Sequence, residues 1–302
     1  MFKSNTGMSR ALVRRETTAG YLFLLPSLFF FVTFVLYPMF MCIYTSFFDS
    51  NMGKNAVDVF VGLGNYKELF QDKLFLGALK NTVVIVVVAV PTVCAFSLWV
   101  ATAIYDMKPA LTSAFRCIFY LPVVTGSVAV TVVWKWMYNS RYGVFNYLFK
   151  SLGIIDQNIN WLGDARFALW CIILILFTTS VGQPIVLYVS ALGNVDHSLV
   201  EAAQVDGANR RQVFWKIKWA QIMPTTLYIL IITTINSFQC FALIQLLTSG
   251  GPTHSTDTIM YYIYYTAFKL YRYGYGNAMG VVLMIIIAVL SAVQFKLGQQ
   301  SD

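Results

Sequence analysis

The sequence predicts an all-α integral membrane protein with six spanning helices. Of its 302 residues, 58% are hydrophobic and only 11% are charged, whereas a soluble domain carries roughly 25% charged residues. About 20 apolar residues cross the ~30 Å hydrocarbon core as a helix, and barrel strands would show short alternating runs instead. The uncharged runs here are long and continuous, and they cover residues 17–48, 81–105, 117–134, 167–195, 225–247 and 273–295.

The first run follows a basic tail, residues 1–18, which carries Lys3, Arg10, Arg14 and Arg15. Because positive residues favour the cytoplasmic side of a span, we expect the chain to start in the cytoplasm. Six spans then bring the C-terminus back to the same side. The run is too long for a signal peptide and lacks a small-residue cleavage site. Residues 19–302 are therefore expected to form one six-helix domain, whose first helix runs from about residue 20 to residue 48.

The second run is rich in valine, which favours strands in soluble proteins, but its unbroken length predicts a helix. The external loop before it, residues 49–80, contains the turn sequence Gly62-Leu-Gly-Asn-Tyr66. A short cytoplasmic turn over residues 106–114 leads to the third helix, expected over residues 117–134. A longer external link over residues 135–166, bordered by tryptophans, then leads to the fourth helix.

Gly182, Gln183 and Pro184 interrupt the fourth run, and proline bends a helix because it lacks an N–H and frees a carbonyl. Such kinks occur beside transport sites, although kinks without a role are as common. The fifth run ends at a Gly250-Gly251-Pro252 stop, and an external tyrosine-rich loop leads to the sixth. No metal-ligand spacing occurs among the cysteines, which we expect to be packing residues; they are Cys42, Cys94, Cys117, Cys171 and Cys240.

The most polar cytoplasmic stretch, residues 194–221, lies between the fourth and fifth helices. Ser198 followed by Glu201 is a capping-box sequence that predicts a helix start, and Gly207 suits a left-handed helix stop. A second, basic amphipathic helix is expected from about residue 209 to residue 219. The small side chains of this helix–turn–helix elbow would let another protein approach closely. From these residues alone, a well-capped interfacial loop is the favoured explanation of the stretch.

The elbow resembles the EAA loop of ABC importer membrane subunits, whose pattern is Glu-Ala-Ala, three residues, Gly, nine residues, Ile. In this chain the pattern is met by Glu201-Ala202-Ala203, Gly207 and Ile217. In that family the elbow is the coupling helix, which docks into a groove of the cytoplasmic ATPase. Trp219-Ala220 replaces the family's Leu-Pro, so the start of the fifth helix is expected to differ. The resemblance implies a role in ATPase coupling for Glu201, Ala202, Ala203, Asp206, Gly207 and Ala208.

The resemblance extends over nearly the whole chain and is closest to carbohydrate-uptake permeases of the maltose-transporter type. It implies the type I ABC importer permease fold and one half of a translocation pore for a sugar or oligosaccharide. The implied partners are a second homologous permease subunit, a cytoplasmic ATPase dimer, an extracytoplasmic solute-binding protein and membrane lipid. Because the ATPase would bind ATP and magnesium, this chain is expected to hold no cofactor and to be a non-catalytic transport subunit. Further matching stretches are Gly62–Tyr66, Asn81-Thr82, Leu121-Pro122, Trp134 and residues 242–252.

A polar stripe marks the fifth helix, where Thr233, Asn236, Ser237 and Cys240 are spaced i, i+3, i+4 and i+7. Polar groups within a span usually face a bundle interior or a watery cavity. Hydrogen bonding between helices explains the stripe as well as a solute cavity does. The resemblance favours the cavity, because positions that line the sugar site of the maltose-type permease match this stripe. On the fourth helix the matching positions are Thr178, Val181, Gly182 and Ile185.

Other classes stay open besides a sugar permease, the nearest being an ABC permease for a non-sugar solute. A channel or secondary transporter with ion coupling usually carries intramembrane charges, and the six runs contain no Asp, Glu, Lys or Arg. An intramembrane enzyme needs a catalytic cluster, whereas His197 and His254 both lie outside the runs. The sequence has no Gly-x-x-x-x-Gly-Lys-[Ser/Thr] phosphate loop, and its basic residues are too scattered for a nucleic-acid surface.

Overall fold

The computed structural model describes residues 10–50 and 58–299, and these residues are mainly α-helical. A small antiparallel sheet pairs β1 (Phe48–Asp49) with β2 (Val59–Phe60), with Phe48 opposite Phe60. The α-helices are α1 (Arg10–Phe31), α2 (Tyr37–Thr45), α3 (Gly64–Gln71), α4 (Lys73–Tyr105), α5 (Pro109–Val124), α6 (Ser127–Met137), α7 (Val144–Ser151), α8 (Ala168–Ser180), α9 (Gly182–Gly193), α10 (His197–Val205), α11 (Arg210–Val213), α12 (Trp219–Phe238), α13 (Ala242–Leu247), α14 (Ile259–Tyr264) and α15 (Tyr273–Gln299). Within the described residues, π-helical turns occur at Val32–Leu36, Phe214–Lys218 and Tyr265–Lys269.

The described chain contains five helical segments that are long and apolar enough to cross a membrane, and a bent helix pair makes a sixth. This result confirms the predicted six-span membrane fold. In chain order the spans are Glu16–Thr45, Lys73–Tyr105, the pair Pro109–Val124 with Ser127–Met137, Ala168–Gly193, Arg210–Leu247 and Tyr273–Gly298.

The third span is not the single helix that the sequence predicted over residues 117–134. Its two helices, α5 and α6, meet at an angle of 95°. Pro122 lies near the end of α5 and has no N–H to donate. Thr125 then adopts an extended backbone, with φ −77° and ψ 126°, and Gly126 precedes the first residue of α6. The prediction failed because hydropathy reports the length of an apolar run but not its bends.

The first helix begins earlier than predicted, because α1 starts at Arg10 inside the segment expected to be a tail. Residues 1–9 of that segment lie outside the described residues. The most apolar stretch of this span is 0% buried against the rest of the described chain. Contact is made at its far end, where Asn277 Nδ2 on α15 donates a 2.7 Å hydrogen bond to Thr45 Oγ1. Most of the span therefore presents apolar side chains to lipid or to another protein.

Helix α4 is the centre of the bundle and packs against α9 and α12. Its buried residues recur every three or four positions, which places them on one face. At the α4–α9 contact, Ser97 Oγ donates to the Val181 carbonyl at 3.2 Å. Val181 lies between α8 and α9, so this bond supports the backbone at the interruption predicted in the fourth helix.

The loop after α13 forms a tight turn on the side of the bundle opposite the elbow. Asn81 Nδ2 on α4 donates to the Ser255 and Asp257 carbonyls at 3.1 and 3.0 Å. The Asp257 side chain is 2% exposed, and its Oδ2 lies 2.7 Å from His254 Nδ1. Burial raises the pKa of Asp257, and pairing with His254 opposes that shift.

Candidate coupling elbow and solute cavity

The first helix of the elbow, α10, is capped by Asp196. The Asp196 carboxylate accepts a 2.8 Å hydrogen bond from the Ser198 N–H, which satisfies one of the free donors at the helix start. The side-chain and backbone hydrogen bonds of Ser198 hold the pKa of Asp196 below its ordinary value. The predicted capping box of Ser198 and Glu201 is therefore wrong: Ser198 is already inside the helix, and Glu201 is exposed one turn further on.

Gly207 ends this helix as the sequence predicted. Its φ is +83°, a left-handed conformation that glycine adopts without strain. The Ala208 N–H donates to the Ala203 carbonyl at 2.9 Å, and the Gly207 N–H donates to the Gln204 carbonyl at 3.1 Å. These two bonds are the Schellman pattern, which satisfies the last carbonyls of a helix.

The second helix of the elbow begins with a capping box that the sequence analysis missed. Asn209 Oδ1 accepts from the Gln212 N–H at 2.9 Å, and Gln212 Oε1 accepts from the Asn209 N–H at 2.8 Å. Its signal was an Asn followed three residues later by a Gln. The helix then continues without a break through the π-turn at Phe214–Lys218 into α12. The amphipathic helix predicted over residues 209–219 is thus the first part of the fifth span.

Apolar side chains are exposed on the outer surface of the elbow. Leu199 is 50% exposed and Val205 is 86% exposed, while Glu201, Ala202 and Asp206 are also exposed. Small and apolar side chains therefore lie beside charged ones on the exposed surface of a doubly capped turn.

A cavity separates the elbow from the ends of the spans. Its volume is about 940 Å³, and residues of both elbow helices line it together with Tyr105 and Asp106 at the end of α4. Lys218 Nζ lies 5.3 Å from the centre of the Tyr105 ring, a distance at which a cation is attracted by the ring. Beside the cavity, Val200 in the middle of α10 packs against the core cluster of α4, α9 and α12.

A second cavity, of about 170 Å³, lies within the membrane-spanning part between α5, α9 and α12. We call it the central cavity. Its polar lining consists of hydroxyl and amide groups, and no charged residue lines it among the residues that the structure describes. These groups donate and accept hydrogen bonds without a net charge. The lining residues are Val123, Thr179, Ser180, Gln183, Pro184, Leu187, Tyr228, Ile229, Ile232, Thr233 and Asn236.

Three of the predicted solute-site residues line cavities in the described chain. Thr233 and Asn236 line the central cavity, and Cys240 lines a neighbouring cavity of about 330 Å³. Ser237 is 2% exposed and turns into the bundle.

The predicted positions on the fourth helix lie elsewhere. Val181 and Ile185 are buried in the core with α4. Gly182 lies against α5, where an added Cβ would approach the Phe119 carbonyl oxygen to 2.3 Å. Thr178 is half-buried, and its hydroxyl donates to the Ile175 carbonyl of its own helix at 2.8 Å. None of these four lines the central cavity.

Other residues of the fourth span line this cavity, and they were not among the predicted positions. Thr179, Ser180 and Gln183 line the central cavity from the fourth span. They are spaced i, i+1 and i+4, so the polar-stripe argument used for the fifth helix would have found them. Each position carried over by resemblance is next in sequence to a residue that lines the cavity, and its contact with solute in an assembled pore stays a prediction.

Comparisons with known proteins agree with this architecture. Residues 61–299 match the family described as "Binding-protein-dependent transport system inner membrane component". The lactose transport system permease protein LacF of Rhizobium radiobacter is 32% identical over 288 residues, covering 94% of this chain and 95% of that protein. The probable ABC transporter permease protein YesP of Bacillus subtilis is 33% identical, covering 94% and 91% of the two chains.

A solved structure shows the same fold. The crystal structure of a bacterial alginate ABC transporter, in complex with an alginate pentasaccharide-bound periplasmic protein, contains a chain that matches with a TM-score of 0.80. The match covers 93% of both chains at 24% identity. The family match, the full-length relatives and the six-span fold lead to one conclusion: this chain belongs to the inner membrane components of binding-protein-dependent transport systems, the permease subunits of ABC importers.

Proposed function

We propose that this permease forms one half of the translocation pore for a sugar or oligosaccharide. The observation that carries the proposal is the lining of the central cavity, where Gln183, Thr233 and Asn236 present uncharged hydrogen-bonding groups inside the membrane. A sugar offers hydroxyls to such groups and ring faces to an aromatic side chain, which Tyr228 supplies. The named functions of relatives support this: lactose transport for LacF and a multiple sugar-binding transport system for MsmF of Streptococcus mutans.

Transport in this proposal is driven by a separate ATPase that docks on the elbow. The apolar and small side chains on the outer surface of the elbow, Leu199, Ala202 and Val205, suit a protein groove better than water. Glu201 and Asp206 add charges at the edge of the same surface. The elbow joins the fourth and fifth spans, and its turn at Gly207 is capped on both sides. We expect this capping to hold the elbow in one conformation, so that movement of a docked ATPase is transmitted to both spans.

The remaining partners are a second, homologous permease subunit and an extracytoplasmic binding protein. A single chain gives only one wall of a pore, and the exposed first span offers apolar surface for a partner subunit. With the ATPase on the elbow, both termini lie in the cytoplasm. The loop after α13 then faces the outside, where a binding protein delivers solute.

Purification from membranes in mild detergent tests the assembly. An ATPase and a second, related permease should co-purify with the tagged chain. In proteoliposomes, the complex should take up radiolabelled lactose or maltose only when ATP is supplied on the side of the membrane that carries the ATPase and the binding protein is added. A chain that purifies alone, or that moves solute without ATP, would contradict the proposal. Uptake of glycerol phosphate but of no sugar would assign a non-sugar solute.

A further inference from the structure

Four neighbouring cavities share lining residues and so lie in a row along α5, and we call this row the groove. Thr179 lines both the outer cavity of about 330 Å³ and the central cavity of about 170 Å³. Gln183 lines both the central cavity and an inner cavity of about 440 Å³. Arg116 lines that inner cavity and a last one of about 480 Å³, which reaches Asn194 beside the elbow.

The polar side chains of this groove indicate that it faces water or solute and not lipid. In its inner part, Tyr120, Gln183 and Ser190 present hydrogen-bonding groups between α5 and α9. Polar groups that face hydrocarbon cost free energy, so they usually face a cavity or a partner. The inner part starts at the proposed solute site and ends at the elbow, which is the course expected of an exit to the cytoplasm.

Arg116 is the one charged residue that lines the four cavities among the described residues. It lies seven positions after Pro109, the first residue of α5, so it is about 10 Å along the helix axis from the cytoplasmic end. The uncharged run that predicted the third span begins one residue later, so this cation was not expected within the membrane. The side chain of arginine is a cation.

No carboxylate neutralises this charge within the groove. The linings of the four cavities include no Asp or Glu among the described residues, and the buried Arg116 Nε has no hydrogen-bond partner. A single unpaired charge in a cleft with low-dielectric walls dominates the local potential. The inner groove is therefore electropositive.

We propose that the inner groove is the exit half of the solute path and that Arg116 determines its charge selectivity. Its N–H groups donate to sugar hydroxyls, and they bind a carboxylate or phosphate more strongly through charge-assisted hydrogen bonds. Neutral hydroxylated solutes and acidic or phosphorylated sugars pass, whereas cationic solutes are repelled. This inference rests on the proposed permease function, because an exit path presupposes a translocated solute.

Reaction of an introduced thiol with charged reagents tests the inference without knowledge of the solute. In the assembled complex with the native cysteines replaced by serine, Ser190→Cys places a thiol in the last cavity. The probes are two methanethiosulfonates of similar size, one an anionic sulfonate and one a cationic trimethylammonium. We expect the anionic reagent to react faster, and Arg116→Gln to lower the anion-to-cation rate ratio roughly tenfold, as removal of one nearby charge should.

Two controls make the test specific. Arg116→Lys keeps the positive charge and should keep most of the ratio. Arg211→Cys, exposed on the second elbow helix and outside the proposed ATPase-docking surface, should show a ratio that Arg116→Gln leaves unchanged. If Arg116→Gln does not assemble, a higher ratio at Ser190→Cys than at Arg211→Cys in the native background still supports the inference.

The inference is overturned if the ratio at Ser190→Cys is independent of residue 116, or is no higher than at Arg211→Cys. It is also overturned if the Ser190→Cys thiol stays unreactive in a complex that takes up solute, because the groove is then not an aqueous path. A failure of the proposed function looks different, since the native complex would then lack ATP-driven uptake whatever the labelling rates show.

Discussion

The backbone N–H of Asp196 donates a 3.0 Å hydrogen bond to Gln221 Oε1. Asp196 caps the first elbow helix, and Gln221 lies two residues into α12 after Trp219. The bond therefore connects the start of the elbow directly to α12, the helix that follows the elbow. A force applied to the elbow by a docked ATPase would reach the fourth and fifth spans together.

Loss of this bond should weaken coupling. Gln221→Met keeps the length of the side chain and removes the acceptor, whereas Gln221→Glu keeps an acceptor oxygen and serves as the control. A hydrogen bond of this kind contributes about 0.5–1.5 kcal/mol, so we expect the ATP consumed per solute transported to rise roughly two- to tenfold in Gln221→Met. Equal coupling ratios in the two variants, measured in proteoliposomes, would remove the bond from the mechanism.

The effect of substitutions at Gly207 on coupled transport should depend on the backbone preference of the new residue and not on the size of its side chain. A Cβ at this position would meet no heavy atom within 4 Å, but the φ of +83° strains any residue other than glycine. Asparagine tolerates this region best and β-branched residues tolerate it least. Coupled transport should therefore be reduced least in Gly207→Asn, more in Gly207→Ala and most in Gly207→Val, while membrane insertion stays normal. A Gly207→Val complex with native coupling would show that the turn is dispensable.

The sequence predicted what depends on local pattern and missed what depends on packing between helices. The left-handed stop at Gly207 needs only a short helix before it, and the six spans need only apolar length. The 95° bend between α5 and α6 and the burial of Val181 and Ile185 depend on how neighbouring helices meet. A shift of one residue rotates a helical position by about 100°, so the sequence identified the cavity-lining helix but not which of its faces lines the cavity.

Orientation is testable with two exposed positions. Thr253 is exposed in the loop after α13, and Arg211 is exposed on the elbow. In a background without native cysteines, Thr253→Cys should react with an impermeant maleimide added to sealed right-side-out vesicles. Arg211→Cys should react only after the vesicles are permeabilised. The opposite pattern would place the elbow outside, where no ATPase can reach it.

The buried Asp257 should make the outer loop sensitive to pH. Burial raises its pKa in the folded protein. A raised carboxyl pKa contributes stability below the unfolded pKa of about 3.9, and that contribution is lost as pH rises through the folded value. Asp257→Asn removes the buried charge, so the difference between its melting temperature and that of the native chain should shift in favour of the variant as the pH rises from 4 to 8.

Removal of the paired imidazole is the matched experiment for this loop. His254→Gln leaves Asp257 without the partner whose Nδ1 lies 2.7 Å away. Without this partner the pKa of Asp257 is raised further, so the melting temperature of this variant in detergent should fall more steeply than that of the native chain as the pH rises from 4 to 8. If the difference in melting temperature between Asp257→Asn and the native chain does not change with pH, the result would contradict a buried charge at this position.

The most direct test of the solute path compares two adjacent residues of the fifth span. Asn236 is exposed in the central cavity, whereas Ser237 is 2% exposed and packs within the bundle. The measurement is the concentration dependence of ATP-driven uptake together with the melting temperature of each complex. A hydrogen-bonding site loses about 1–3 kcal/mol when a partner is left unpaired, so Asn236→Leu should raise the half-saturating concentration roughly 5- to 150-fold without changing the melting temperature. Ser237→Ala should lower the melting temperature and leave half-saturation unchanged. An Asn236→Leu complex with native half-saturation and a lowered melting temperature would contradict the account.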